Sequence, residues 1–126
     1  MLTALLLLVD AEASSTFNEV GSPGDFNISY VDGSGSVGDY FTDAFSIGGA
    51  TLNNFQMGLA LDTSIGIGIM GIGYNSSEAN VFTGDGTIYA NLPFAMVDSG
   101  IVTTEAYSLW LNDLRMYILG ASSGGY

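Results

Sequence analysis

The acid–base side chains in this sequence are carboxylic acids, tyrosines and one arginine. The chain of 126 residues contains 13 aspartates and glutamates, a single base, Arg115, and neither histidine nor cysteine. This composition excludes thiol chemistry, disulfides, histidine-containing catalytic triads and zinc sites built on histidine or cysteine. An enzyme made from this chain would have to use carboxylates as its acid and its base.

The charge balance excludes two further classes of partner. The formal net charge is −12, so the chain cannot neutralise phosphates, and neither nucleic acid nor an anionic membrane surface is an expected partner. Apolar residues make up 48% of the sequence, which is enough to bury a core. The length suits one domain or one lobe of a larger domain.

A β-hairpin is the first element that the sequence predicts. Apolar residues alternate with polar ones over residues 26–30, which predicts a half-buried strand, and the glycines within residues 32–36 predict a tight turn. The chain then returns through residues 37–47, and a glycine pair at 48–49 turns it again. A further strand is predicted where alternation resumes over residues 55–61.

Glycine alternates with isoleucine or methionine over residues 66–74. This segment is too apolar for an ordinary surface loop, so we expect its backbone to pass close to another part of the protein. The polar residues 75–91 that follow predict an irregular surface excursion.

Two helices are predicted near the C-terminus. The first begins at Leu92-Pro93 and would place Phe94, Val97 and Ile101 on one face. The second would cover residues 104–114. Its apolar face would carry Tyr107, Trp110, Leu111 and Leu114, and a strand is predicted to begin at Ile118.

In this order the segments resemble the N-terminal lobe of pepsin-like aspartic proteases, and the fungal secreted and yapsin-type branch most of all. The motifs that carry the resemblance are Ser14-Ser15-Thr16-Phe17, the hairpin with Tyr30, the strand from Asp43 to Gly48-Gly49, the loop at 68–74, the run from Tyr89 to Pro93, and the segment from Ile101 to Leu111. Each motif is weak alone, but the ordered set is specific.

The resemblance implies an all-β fold with minor α content, a partial pepsin-like lobe over residues 14–126. It also implies aspartic-type endopeptidase chemistry without a cofactor or metal, in which two carboxylates share a proton and activate a water that attacks a peptide carbonyl. Tyr30 would be the tyrosine of the flap that closes over an extended peptide substrate, and Asp32 and Gly33 would contact the substrate backbone. Val31 departs from the glycine that commonly follows the flap tyrosine, and it would stiffen the hairpin.

Both Asp-Thr-Gly catalytic loops of the family lie outside these residues, so this chain alone is expected to be inactive. It would be either a fragment of an active protease or a non-catalytic remnant that binds peptides or a partner, with self-association through unpaired sheet edges. A secreted structural protein unrelated to proteases is a third alternative.

One local match would restore a catalytic residue. Val97-Asp98-Ser99-Gly100 has the letters of a catalytic loop, and a retroviral-type homodimeric protease would use Asp98 as its one catalytic residue. The order of segments disfavours this, because such a protease needs its flap and glycine loop after the aspartate. Asp62-Thr63-Ser64 lacks the glycine of the motif.

Two other letter matches lack the context that their ligands need. Asp32, Asp39 and Asp43 do not have the spacing of an EF-hand calcium loop, so no metal site is expected. The glycines at 66, 68 and 71 satisfy a dinucleotide fingerprint only in letters, since no strand–helix–strand unit surrounds them.

The N-terminus and two sequons indicate a secretory route. The apolar residues 2–9, followed by Ala11-Glu12-Ala13, are typical of a signal peptide, so we expect residues 1–13 to be a signal-like or spurious N-terminus. Asn27 and Asn75 begin N-glycosylation sequons. A secreted or cell-surface location is expected, with the vacuole as a further option.

Overall fold

A four-stranded antiparallel sheet forms the centre of the protein. The structure is a computed structural model that describes residues 10–11, 13–83, 86–112 and 115–119. The strands of this sheet are β1 (Asn18–Val20), β2 (Phe26–Ser29), β3 (Gly35–Ile47) and β4 (Ala50–Thr63). The predicted all-β class, with minor helix, is confirmed.

The long strand β3 organises the sheet. Its residues 40–42 pair with β1 and its residues 35–38 pair with β2, while β4 pairs with it from residue 36 to residue 47. Because a strand has only two edges, β1 and β2 lie end to end along one edge of β3 and β4 occupies the other. The predicted turn at Gly48-Gly49 joins β3 to β4.

The sheet carries an apolar cluster on each face. Successive side chains of a strand point to opposite faces, and the neighbours Tyr40 and Phe41 accordingly belong to different clusters. The first cluster, which we call the hairpin cluster, contains Phe26, Ile28, Tyr40 and Ala79. The second contains Phe41, Leu52, Phe55, Met57 and Leu92.

Asp43 ties the segment before β1 to the middle of the sheet. One carboxylate oxygen accepts hydrogen bonds from the Ser14 hydroxyl at 2.9 Å, from the Ala44 N–H at 2.7 Å and from the Thr16 hydroxyl. The bonds from Thr16 and Ser14 hold the pKa of Asp43 below its usual range. Asp43 lies next to a break in the β3–β4 register, where Asn54 takes a positive φ of 54°.

Short helices cover both faces of the sheet. A 3₁₀ turn (Asn75–Ser77) leads into α1 (Ala79–Thr83), and α2 (Leu92–Asp98) follows. The expectation of an irregular surface excursion at 75–91 is therefore only partly correct. Residues 75–83 form helical turns, and Glu78, Asn80 and Asn91 are buried, whereas residues 86–90 have no regular secondary structure. Within the described residues, no helix is long and apolar enough to cross a membrane.

The helix predicted at Leu92 is confirmed, but its packed face differs from the expected one. Leu92, Ala95 and Met96 pack in the cluster around Phe41, and Ile101 joins them. Phe94 and Val97 are only half-buried. The spacing of apolar residues allowed either face, and the position of Leu92 against β4 selects between them.

The second predicted helix is replaced by a hairpin. Residues 108–112 form β5 (Ser108–Asn112), which pairs with β6 (Arg115–Leu119) in a separate two-stranded sheet. Tyr107 precedes β5 and is 48% exposed, so it is not a helical core residue, and Leu114 lies outside the described residues. The same residues suit a strand once a partner is available, and the backbone of residue 110 lies opposite that of residue 117 in the hairpin. Ile118 and Leu119 are strand residues as predicted, but they end β6, which begins at Arg115 and not at Ile118.

Candidate functional site

The β2–β3 hairpin ends in a tight three-residue loop. The Tyr30 N–H donates to the Ser34 carbonyl at 2.8 Å, and the Gly33 N–H donates to the Tyr30 carbonyl at 3.0 Å. Gly33 has φ of 84°, a left-handed conformation that glycine adopts without strain and that closes three-residue hairpin loops. The predicted hairpin with Tyr30 at its edge is thus confirmed.

Asp32 stabilises the tip of this hairpin. Its Oδ1 accepts from the Ser34 hydroxyl at 2.6 Å and from the Ser34 N–H at 2.9 Å. These two bonds hold the pKa of Asp32 below its usual range. The carboxylate therefore remains ionised at mildly acidic pH while it holds the loop in shape.

Tyr30 directs a buried hydroxyl into the protein. Among the described residues, no group forms a hydrogen bond with that hydroxyl. Burial and, to a smaller extent, the charge of Asp32 raise the pKa of Tyr30, so the phenol stays protonated and able to donate.

A cavity of about 920 Å³ opens beside the hairpin tip. One wall consists of hairpin residues, including Tyr30 and Asp32, and a second wall consists of Ile65, Ile67 and Ile69. The third wall comes from the 3₁₀ turn and α1. Val31, Ile67 and Phe82 at its rim are each more than two-thirds exposed, and contiguous apolar surface of this kind typically marks a binding site.

The glycine-rich loop at 66–74 only partly meets the expectation of close packing. Its first residues are open: a Cβ added at Gly66 would meet nothing within 4 Å, and Ile67 is 72% exposed. Its second half is packed, since Met70 contacts the cluster around Phe41 and Gly71 is buried. The alternating isoleucines face the cavity rather than a covering element, which explains the exposed first half.

A group of buried polar residues behind the cavity was not predicted from the sequence. Glu78 is fully buried, and its carboxylate accepts from the Tyr89 hydroxyl at 3.1 Å and from Asn91 Nδ2 at 3.0 Å. The same Nδ2 donates to the carbonyl of Gly73 at 2.7 Å. Burial, followed by the charge of Glu78, raises the pKa of Tyr89. No periodic pattern marks these residues, so only their mutual contacts reveal them.

The other carboxylates singled out in the sequence lie elsewhere. Asp98 is the exposed last residue of α2 and lines a separate cavity of about 270 Å³. Asp62 is an exposed residue of β4, and Asp39 accepts from the Gly24 N–H at 2.7 Å. Within the part of the chain that the structure describes, no three carboxylates gather into a group that could hold a metal ion.

The structure has the architecture expected of a pepsin-like lobe: a β-rich fold in which a hairpin carrying a tyrosine borders an apolar cavity lined by a glycine-rich loop. The family comparison agrees with this. Residues 7–124 match the family described as eukaryotic aspartyl protease, and the chain belongs to that family. This confirms the resemblance drawn from the ordered motifs.

Curated relatives of the chain include fungal proteases. The chain is 52% identical over 106 residues to the probable aspartic-type endopeptidase opsB of Aspergillus fumigatus, a match that covers 84% of this chain and 21% of that protein. It is 40% identical over 101 residues to secreted aspartic protease 1 of Candida albicans, covering 80% of this chain and 24% of that protein. An acid protease of Saccharomycopsis fibuligera is 40% identical over 87 residues, or 69% of this chain and 22% of that protein. The chain thus spans between a fifth and a quarter of the length of these relatives.

Proposed function

We propose that this chain is the substrate-covering part of an aspartic endopeptidase, and that it binds extended peptides in the cavity beside Tyr30. The observation that carries the proposal is the hairpin tip, where Tyr30 and Asp32 border an open apolar cavity. Tyr30 would pack on the peptide, and the backbone at Asp32 and Gly33 would contact the peptide backbone. An extended peptide presents alternate side chains, and the apolar cavity suits one of them.

We further propose that the 126 residues alone do not hydrolyse peptides. Aspartic protease chemistry needs two carboxylates that share a proton. Asp32 borders the cavity but is held by Ser34, and Asp98 lines a different cavity at the end of a helix. In a longer protein with a catalytic pair, the same hairpin would cover the scissile bond.

Peptide affinity measured with matched variants tests the binding proposal. A fluorescein-labelled peptide with a central Phe-Leu pair would be titrated with the wild-type chain and with Tyr30→Ala and Tyr74→Ala. Tyr74 is 76% exposed and does not line the cavity, so it controls for loss of an exposed tyrosine. We expect Tyr30→Ala to weaken binding roughly tenfold and Tyr74→Ala to leave it unchanged. Equal affinity of all three chains would refute the proposal.

Hydrolysis of the same peptide at about pH 3 to 5, where paired aspartates are active, tests the second proposal. We expect no cleavage that pepstatin inhibits. Pepstatin-sensitive cleavage that disappears in Asp98→Asn would instead establish the homodimeric alternative.

Secretion is proposed from the relatives and the sequons. Asn27 is exposed on β2, and Asn75 is a half-buried residue at the start of the 3₁₀ turn. Expression with a secretion signal in a fungal host, followed by mass spectrometry, should find glycan at Asn27 or Asn75. Unmodified asparagines at both positions in secreted protein would contradict the assignment.

Self-association through sheet edges also remains a proposal. Within the described residues no strand pairs with the outer edge of β4, and Leu61 near its end is 67% exposed. Light scattering should show oligomers that Leu61→Lys reduces. A monomer at all concentrations would rule this edge out.

A further inference from the structure

One carboxylate of the described chain is completely removed from solvent. Glu78 has no exposed surface, and among the described residues it is as deeply buried as the aromatic core residues Phe26 and Phe41. Burying a carboxylate is costly unless hydrogen bonds replace its water. A glutamate in this position therefore needs a physical explanation that a surface glutamate does not.

The hydrogen bonds of Glu78 reach the glycine-rich loop. Two neutral donors, the Tyr89 hydroxyl and Asn91 Nδ2, bind its two oxygens. Asn91 Nδ2 uses its other hydrogen to hold the Gly73 carbonyl at 2.7 Å. Because both neighbours of this nitrogen are acceptors, the amide orientation follows from chemistry. The loop lines the cavity with the isoleucines near its start, and its other end, at Gly73, is thereby anchored to a buried carboxylate.

Glu78 also fixes a second wall of the cavity. Its N–H donates to the Asn75 carbonyl at 3.3 Å, and its carbonyl accepts from the Val81 N–H at 3.1 Å, so it joins the 3₁₀ turn to α1. The next residue, Ala79, packs against Phe26 and Ile28 in the hairpin cluster. Ala79 and Phe82 of α1 both line the cavity.

A series of aromatic ring contacts connects Tyr89, the hydrogen-bond partner of Glu78, to the hairpin. The rings of Tyr89 and Tyr40 meet edge to face with centroids 5.5 Å apart, and those of Tyr40 and Phe26 do so at 5.4 Å. Phe26 begins β2, the strand that ends at the hairpin tip. The loop, α1 and the hairpin, which are the three walls of the cavity, therefore converge on the surroundings of Glu78.

We propose that Glu78 is a positioning residue that, through Asn91, Tyr89 and Ala79, sets the spacing of the three cavity walls and so the affinity of the cavity for an apolar peptide side chain. Glu78 does not line the cavity and would touch no peptide. The ligand part of this inference rests on the function proposed above.

Two substitutions separate hydrogen-bonding geometry from simple filling of space. In Glu78→Gln the amide oxygen can still accept from Asn91, and the amide nitrogen can donate to the Tyr89 oxygen, so the walls stay in place. Glu78→Leu fills similar volume but leaves Tyr89 and Asn91 without their acceptor. We expect Glu78→Leu to weaken binding of the labelled Phe-Leu peptide roughly tenfold and Glu78→Gln to change it less than about threefold.

Asp43→Asn is the matched control. Asp43 is also a nearly buried carboxylate that accepts from neutral donors, but it lines no part of the cavity. We expect it to lower the denaturant midpoint while leaving peptide affinity unchanged. Equal loss of affinity in Glu78→Gln and Glu78→Leu, or the same loss in Asp43→Asn, would overturn the positioning role.

A measurement made without peptide tests the role of Glu78 independently of whether the chain binds peptides. Backbone ¹⁵N relaxation reports the order of each amide on the picosecond to nanosecond timescale. We expect Glu78→Leu to lower the heteronuclear NOE at Gly71 and Gly73 but not along β3 and β4, and Glu78→Gln to preserve it. If the wild-type chain binds no peptide, the proposed function fails and this measurement still decides the role of Glu78.

Asn91→Ala covers the case in which Glu78→Leu does not fold. It removes the link to Gly73 and leaves the Tyr89–Glu78 bond in place, so the same local loss of order at Gly71 and Gly73 is expected. Unchanged NOE values, a loss spread over the whole sheet, or failure of both variants to fold would each assign Glu78 to folding rather than to the cavity.

Discussion

Gly58→Ala should destabilise the protein although alanine is the better strand residue. Gly58 lies in the middle of β4, and a Cβ built there would be 2.6 Å from Cε2, 2.7 Å from Cδ2 and 2.8 Å from Cζ of Phe26. Carbon atoms in contact normally lie about 3.5–4.0 Å apart, so the ring would have to move by about 1 Å. Phe26 is fully buried and packs edge to face on Tyr40, which leaves it little room to move.

The magnitude follows from two opposing effects. Overpacking a closed core costs about 1–3 kcal/mol, whereas replacing glycine by alanine within a strand gains about 0.5–1 kcal/mol. The net expectation is a loss of about 1–2 kcal/mol in the free energy of unfolding. With a urea slope of about 2 kcal/mol per molar, within the range usual for small proteins, the midpoint should fall by roughly 0.5–1 M.

Gly66→Ala is the control for this measurement. A Cβ at Gly66 meets nothing within 4 Å, and neither Gly66 nor Gly58 has a positive φ, so the two substitutions differ mainly in their surroundings. We expect Gly66→Ala to leave the midpoint unchanged or to raise it slightly. In a Phe26→Leu background, Gly58→Ala should cost less stability than it does in the wild type, because the ring that clashes is gone. The reasoning is refuted if Gly58→Ala and Gly66→Ala unfold at the same urea concentration.

Two predictions concern pH. The pKa of Asp43 is lowered in the folded state, so its contribution to stability is present above the unfolded pKa of about 3.9 and is lost as pH falls through the folded value. Asp43→Asn should therefore reduce stability at neutral pH and should flatten the loss of stability at acidic pH in urea titrations. An unchanged dependence of stability on acidic pH would contradict the assignment. The pKa of Tyr89 is raised, first by burial, so its contribution is fully present below about pH 10 and is lost as pH rises further, by up to about 1.4 kcal/mol per pH unit. Tyr89→Phe should flatten that alkaline loss while Tyr74→Phe at an exposed position should not, and identical profiles for the two variants would count against burial as the cause.

Local sequence patterns were sufficient for the hairpin and for the strands around it. The alternation of apolar residues in 26–30 and 55–61 predicted β2 and part of β4, because one face of each strand must be buried. The glycines of residues 32–36 predicted the turn, since a left-handed residue was needed where Gly33 stands. The ordered motifs then identified the family, which the comparison with known proteins confirms.

Where the spacing of apolar residues is compatible with both a helix and a strand, the segment of chain that packs or pairs with them determines which one forms. Residues 108–112 suit a helix or a strand, and pairing with residues 115–119 makes them β5. The packed face of α2 likewise depends on the position of Leu92 against the cluster around Phe41, not on the spacing within the helix. Such choices follow from tertiary contacts that override local preference.

Composition and local pattern are enough to define the class of this protein: acid–base groups that are mainly carboxylates, a strand-rich lobe and a tyrosine at the tip of a glycine-turned hairpin. The burial of Glu78 and its connection to Gly73 through Asn91 are visible only in the folded protein. They leave no mark on the sequence because the residues involved are far apart along the chain. Strand alternation and turn glycines act between near neighbours, whereas the bonds of Asn91 to Glu78 and Gly73 span 13 and 18 residues and leave no periodic signal in the sequence.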